Sequence, residues 1–193
     1  MVIAPGEAVM INGDQGVNRA LLFNAMAGLW PFGEGRIALP VDADIIFLPQ
    51  MGYLPEGRLR SLLAYPASSA EFSDAAMAQA LEKVGLGEFA TELDRRARWD
   101  RILDKDQQMA LAFAGILLRK PRWLVMNDVL EGLEADTEAR LADLLKGLPE
   151  TTLIYLGHSM AFAEATGARI LHLEKTTTGA SKRDEAVAPQ EEE

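Results

Sequence analysis

Residues 8–22, Ala-Val-Met-Ile-Asn-Gly-Asp-Gln-Gly-Val-Asn-Arg-Ala-Leu-Leu, constrain the fold more than any other stretch of the chain. Ala8 to Ile11 form an apolar run of strand length. A loop with glycines at Gly13 and Gly16 follows, and then a helix that carries Leu21, Leu22, Ala25 and Met26 on one face. Strand, glycine loop and helix in direct succession make an anion cradle, because backbone N–H groups and a helix N-terminus converge there. The side chains in the cradle are unusual. The phosphate-loop pattern G-x-x-x-x-G-K-[ST], started at Gly13, asks for Gly, Lys and Ser/Thr where the chain has Asn18, Arg19 and Ala20.

The remaining chain alternates strands and helices. Met1 to Glu7 is a lead-in with a Pro5-Gly6 turn; the first helix ends near Gly28; residues 30–35 are rich in turn formers, and Arg36 to Leu39 reads as a brief strand. Apolar runs at Ile45–Leu48 and Trp123–Met126 suit buried strands, and Thr152–Leu156 and Arg169–Leu173 read as the last strands. Helices are expected over Arg58–Tyr65, Ala75–Val84, Glu88–Leu93, Gln107–Leu118, Asp136–Leu145 and Ala161–Ala165, with Ser73-Asp74 as a cap. This order argues for an α/β fold, a parallel sheet covered on both faces. Residues of about 70–118 read as a helix-only insertion, a helical subdomain within a domain spanning 1–174. From Lys175 to Glu193 there is no apolar periodicity, which predicts a disordered acidic tail. Trp30, Trp99 and Trp123 are expected to be packing residues.

With 193 residues and 49% hydrophobic content the chain can build one substantial core. Its 29 acidic and 19 basic residues give a formal net charge of −10, the wrong sign for a nucleic-acid or anionic-membrane binder. Cysteine is absent, which excludes disulfides and thiolate metal sites. His158 and His172 are too far apart for a local zinc motif, and no metal site is expected. No apolar run reaches the ~20 residues of a membrane span, and the N-terminus lacks a charged start with an apolar core, so a cytoplasmic location is expected.

Several short motifs then fall in one order: Ala27-Gly-Leu-Trp-Pro-Phe-Gly33, Phe47-Leu-Pro-Gln50, Tyr53-Leu-Pro55, Gly57-Arg-Leu-Arg60, Trp99-Asp-Arg-Ile-Leu103, Leu111-Ala-Phe-Ala114 and Gly157-His158. In these the chain resembles the nucleotide-binding domain of an ABC transporter, over roughly Ile3 to Glu174. Within that superfamily it looks like the half-transporter branch of peroxisomal fatty-acyl exporters and bacterial SbmA/BacA-type peptide uptake transporters. The resemblance implies a P-loop NTPase-type sheet, shortened at its N-terminus by the strands that carry the adenine-stacking aromatic. It aligns Gly13, Asp14, Gln15, Gly16, Val17, Asn18, Arg19, Ala20 and Leu21 with Walker A, and Gln50 with the glutamine that senses Mg²⁺ and faces the transmembrane partner. Leu103 to Ala110 align with the signature motif, Trp123 to Asp128 with Walker B, Glu131 to Glu134 with the D-loop, and His158 with the histidine that contacts the γ-phosphate. ATP with Mg²⁺ as cofactor, a transmembrane partner, a membrane-associated position and a head-to-tail cassette dimer are what the family implies.

The departures concentrate on nucleotide contacts. Asn18 replaces a glycine, where it tolerates positive φ better than most residues. Arg19 keeps a positive charge on a wide planar group. Ala20 lacks the hydroxyl that would hold Mg²⁺. Asn127 stands for a metal-supporting Asp, and Asp128 for a water-activating Glu. In the signature motif Asp104 and Asp106 replace Ser and Gly; a carboxylate ~4 Å from a phosphate charge repels it by roughly 4 kcal/mol at an effective dielectric of about 20. Since losing one preorganised group costs about 10²–10³ in rate, the expectation is weak or absent ATP binding, doubtful Mg²⁺, and hydrolysis lost, with Asp128 and His158 the only catalytic candidates. Plainer readings stand beside these: a relic loop whose glycines make a turn, polar strand ends at Gln50, Asn127, Asp128 and His158, and a solvated helix start at Asp104 and Asp106. A working ATPase subunit and a nucleotide-independent interaction module are the two alternatives.

Overall fold

The computed structural model describes residues 2–14, 17–40, 43–50 and 52–174. The expectations made for Gln15, Gly16 and the tail 175–193 lie outside the described residues. In chain order the strands are β1 (Ala8–Gly13), β2 (Ile45–Leu48), β3 (Gly57–Arg58), β4 (Arg96–Ala97), β5 (Trp123–Asn127), β6 (Thr152–Leu156) and β7 (Arg169–Leu173). The helices are α1 (Arg19–Met26), α2 (Leu59–Ala64), α3 (Asp74–Lys83), α4 (Trp99–Ile102), α5 (Lys105–Arg119), α6 (Ala135–Leu144) and α7 (Met160–Thr166).

Five strands form one parallel sheet in the order β2-β5-β6-β1-β7. Successive side chains point to opposite faces, and the central strands β1, β5 and β6 are buried on both, which is why they read as apolar runs, whereas edge strand β7 is largely exposed. Val9, Ile11, Val125, Ile154 and Leu156 face one way and pack under Phe23 and Met26 of α1. Met10, Leu124, Met126, Leu153 and Tyr155 face the other way, into a larger core with Leu63, Met77, Trp99, Phe113, Leu141 and Phe162.

The helices begin and end where local chemistry dictates. Ser73 caps α3, Ser159 caps α7, and Asp104 caps α5 in a reciprocal pair with Gln107. The aspartates of the signature region are therefore a helix start: Gln107 N–H donates to Asp104 Oδ1 at 2.8 Å, and Glu134 N–H donates to Asp106 Oδ2 at 2.9 Å. No helix among the described residues is long and apolar enough to cross a membrane.

Four expectations are corrected. Arg36 to Leu39 form no strand; they are exposed and have no ladder partner. The helix expected over Glu88–Leu93 is a single 3₁₀ turn, Gly87–Phe89. The segment of about 70–118 is not helix-only, because β4 pairs antiparallel with β3 and fastens the segment back to the chain before α2. Trp30 is exposed at 38%, edge-on to Phe32, whereas Trp99 is fully buried and its Nε1–H donates to Gly57 O at 3.0 Å.

Candidate functional site

β5, β6 and β1 are neighbours, so the loops at their carboxyl ends meet. Such a rim is where open α/β sheets place ligands. Asp128 follows β5, Gly157-His158 follow β6, and the loop to Arg19 follows β1. The cradle retains two of its requirements. Asn18, just before α1, caps nothing with its side chain, and the first turn of α1 holds no acid, so backbone N–H groups are left to the loop. Gly13 is closely hemmed: a Cβ there would lie 3.1 Å from Leu173 O and 3.1 Å from Val17 Cγ1. Asn18 itself has φ −90° and ψ 91°, so the left-handed conformation that would favour Asn over bulkier residues is not used.

Arg19 is turned across the rim, into the residues opposite. Its Nη2 donates to Asp128 Oδ1 at 3.0 Å, and its Nη1 lies 2.7 Å from His158 Nε2. Guanidinium has only donors, so in this contact Nε2 is the acceptor. That nitrogen therefore has no proton to offer a phosphate. The Arg19 and Asp128 side chains are only 15% and 19% exposed, which shields the pair from solvent. Asp128 has φ 49°, the left-handed region, which a short polar side chain tolerates better than a branched one. This turn aims its carboxylate back toward β6 and α1.

A further carboxylate, Glu131, completes the cluster. Its Oε1 accepts the His158 backbone N–H at 2.5 Å. Burial pushes the Glu131 carboxyl up from its ordinary value; the His158 N–H pulls it back down, and the Asp128 charge adds to the rise. Gly157 sits between these groups: a Cβ there would fall 2.4 Å from Tyr155 Cε1, 2.7 Å from Glu131 Oε1 and 2.9 Å from Asp128 Oδ1. Arg19 Nε and Asn127 Oδ1 are buried without a hydrogen-bond partner among the described residues.

The other sequence-based candidates are elsewhere. Asp14 points to β7, where its Oδ1 is 2.8 Å from His172 Nε2, while His172 Nδ1 is 2.8 Å from Asn12 Oδ1. Val17 packs at Gly13, Ala20 lies in the first turn of α1, and Leu21 is exposed at 36%. Gln50, exposed beyond edge strand β2, lines a different concavity. In sequence Glu131 stood only within the segment aligned with the D-loop, and His172 only as a histidine far from His158; Glu131 lies four residues after the end of β5, in a loop with no periodicity to aim it.

At the positions that the resemblance aligns with metal contacts the side chains are Ala20, Asn127 and Asp128. Ala20 offers no oxygen, Asn127 offers one neutral carbonyl, and Asp128 already holds a cation. No grouping of three or more His, Cys, Asp or Glu side chains suited to a metal occurs among the described residues.

No protein-family model matches the sequence. Among solved structures, a bacterial Atm1-family ABC exporter with ATP bound superposes with a TM-score of 0.71 at 19% identity, over 89% of this chain and 32% of the exporter chain. The fold is that of an ABC-transporter ATPase. An uncharacterized ABC transporter ATP-binding protein of Haemophilus influenzae is 35% identical over 159 residues, 82% of this chain and 27% of its own length. ABC transporter D family member 1 of Arabidopsis thaliana is 26% identical over 175 residues, 82% of this chain and 13% of its own. The chain thus spans about a quarter or less of the length of these relatives. Within this fold Arg19, at the start of α1, bonds both Asp128 after β5 and His158 after β6.

Proposed function

We propose that the chain is the ATP-binding cassette of an ABC transporter in the half-transporter branch, with a nucleotide site that no longer hydrolyses ATP. Its partners on this reading are a membrane-spanning domain and a second cassette placed head to tail, on the cytoplasmic side. The similarity to ABC transporter ATP-binding proteins and the cassette fold support the first part. The residues of about 70–118 would then be the helical subdomain, within a domain of 1–174.

The observation that carries the loss of hydrolysis is the engagement of Arg19 with Asp128 and His158. Asp128 stands where a base would take a proton from water, and its carboxylate holds the guanidinium instead. The lone pair of His158 Nε2 receives an arginine N–H. A polyphosphate entering the cradle has to draw Arg19 away from both, and among the described residues no metal-binding cluster is at hand to share its charge. Weak binding that Mg²⁺ does not strengthen is the consequence.

Calorimetric titration of the purified chain with ATP, with and without Mg²⁺, combined with a phosphate-release assay, tests this. The expected result is weak or no binding, no tightening by Mg²⁺ and no turnover above buffer. Mg²⁺-dependent turnover that disappears in Arg19→Ala would overturn it in favour of a working ATPase subunit.

A further inference from the structure

Three carboxylates stand at the rim around the cradle, and each is held by a donor from another element. Asp128 takes the guanidinium of Arg19, Glu131 takes the backbone N–H of His158, and Asp14 takes the ring of His172. Asp14 differs from the other two in belonging to the cradle loop itself, one residue beyond β1.

The hold on Asp14 is set by strand register. β7 runs parallel to β1, with Asn12 opposite His172 and Gly13 opposite Leu173. Asp14 N–H donates to Leu173 O at 3.1 Å, which carries the pairing one residue past the strand. Asn12 and Asp14 are two positions apart, so their side chains leave the chain on the same side. The His172 ring meets both: Nδ1 is 2.8 Å from Asn12 Oδ1, and Nε2 is 2.8 Å from Asp14 Oδ1. A carboxylate only accepts, so in the second contact Nε2–H donates. The contact with Asn12 fixes the ring and with it the direction of Nε2.

Without that hold, Asp14 has other donors in reach. Val17 N–H donates to Asp14 O at 3.0 Å, so the loop turns back on Asp14. An aspartate at the head of a turn readily bonds the backbone N–H two residues on. The start of α1 offers more: the Asn18 side chain caps nothing, and the first turn has no acid. A carboxylate taken up there fills the cradle with the chain's own anion and repels a phosphate. The His172 and Asp14 side chains are 49% and 54% exposed, against 15% and 19% for Arg19 and Asp128, so solvent screens this hold more and it is the easier one to break.

We propose that His172 is a positioning residue of the cradle: it draws the Asp14 carboxylate onto β7 and so keeps the loop open to an anion. Release of that contact turns Asp14 into an internal competitor. The inference rests on the reading that the cradle receives phosphate, and it adds a residue 158 positions away from the loop aspartate it controls.

Nuclear magnetic resonance of the backbone amides of Asn18 to Leu21, with and without inorganic triphosphate, tests it in His172→Ala, His172→Gln and the double variant His172→Ala/Asp14→Ala. Without ligand, these amides are expected to move in His172→Ala and to return toward their wild-type positions in the double variant. His172→Gln keeps an N–H donor and should leave them near wild type. The dissociation constant for triphosphate is expected to rise about tenfold or more in His172→Ala and to come back within about threefold of wild type in the double variant. Thermal melts confirm folding, and His172→Phe, a ring without a donor, is the second variant should His172→Ala not fold. Amides that stay in place in His172→Ala, or that move equally in the double variant, overturn the proposal and make His172 a packing residue. Failure of triphosphate to bind even the wild-type chain overturns the phosphate reading of the cradle, while the ligand-free shifts still decide whether His172 controls Asp14.

Discussion

Replacing Arg19 by alanine removes two hydrogen bonds and leaves Asp128 facing Glu131 with no cation between or beside them. The pair is neither fully buried nor at the surface, at 15% and 19% exposure. Surface ion pairs contribute about 0–1 kcal/mol, and breaking a buried one by removing one partner costs about 3–5 kcal/mol. An intermediate loss of about 2 kcal/mol is expected. For a domain of this size each kcal/mol moves Tm by about 2–4 °C, so Arg19→Ala should melt about 4–8 °C lower. Arg19→Lys should fall between, because an ammonium cannot meet Asp128 and His158 together through one planar fork. The decisive assay is a double-mutant cycle with Asp128→Asn, in which the two losses should couple by at least about 1 kcal/mol. A melting point within about 1 °C of wild type for Arg19→Ala, or coupling below about 0.5 kcal/mol, would refute the idea that Arg19 joins these strand ends.

Three further outcomes follow from the same neighbourhood. Glu131 titrates above its ordinary value of 4.5 in the folded chain, so its contribution to stability is present below that pH and is lost as pH rises through its folded pKa; Glu131→Gln should therefore raise the urea midpoint at neutral pH, with the gain vanishing near pH 4. Gly157→Ala places a methyl group within 2.4 Å of Tyr155 Cε1, and should cost about 1–3 kcal/mol in chemical denaturation; an unchanged midpoint would show that the β6 rim yields easily. Tyr155→Phe leaves the buried Leu130 N–H, now 3.3 Å from the phenol oxygen, without an acceptor, and should cost about 1–3 kcal/mol, read as a lower guanidinium midpoint with an unchanged slope.

The sheet was legible because its central strands are buried on both faces, and its edge strands β2 and β7 still carry apolar runs. Ile45–Leu48, Thr152–Leu156 and Arg169–Leu173 lie where the apolar runs placed them. Arg36 to Leu39 is as long as β2, with three apolar residues in its four, but strand formation needs a neighbour to bond with, and none pairs with it among the described residues. The β3–β4 pair is two residues on each side, too short for any period to register, and its cause is tertiary. At the site, sequence fixed the identities of Asn18, Arg19 and Ala20 but not their direction. That Arg19 reaches Asp128 and His158, 109 and 139 positions away, depends on β5, β6 and β1 lying side by side. The order of strands across a sheet is carried by crossover connections that no local pattern reports.

That strand order has a consequence for how the chain is made. β1 sits between β6 and β7, and Ala8 pairs with Leu153, which is 145 positions later in the chain (153 − 8). Of the five strands in this sheet β1 is made earliest, and both of its neighbours, β6 and β7, are made last. At about 5–20 residues per second the intervening segment takes on the order of ten seconds to synthesise. Throughout that interval Ala8 to Ile11 is an apolar strand without the two neighbours it pairs with in the folded chain, open to pairing with other nascent chains. The cradle loop that follows it acquires its shape only after translation has passed the residues it will face.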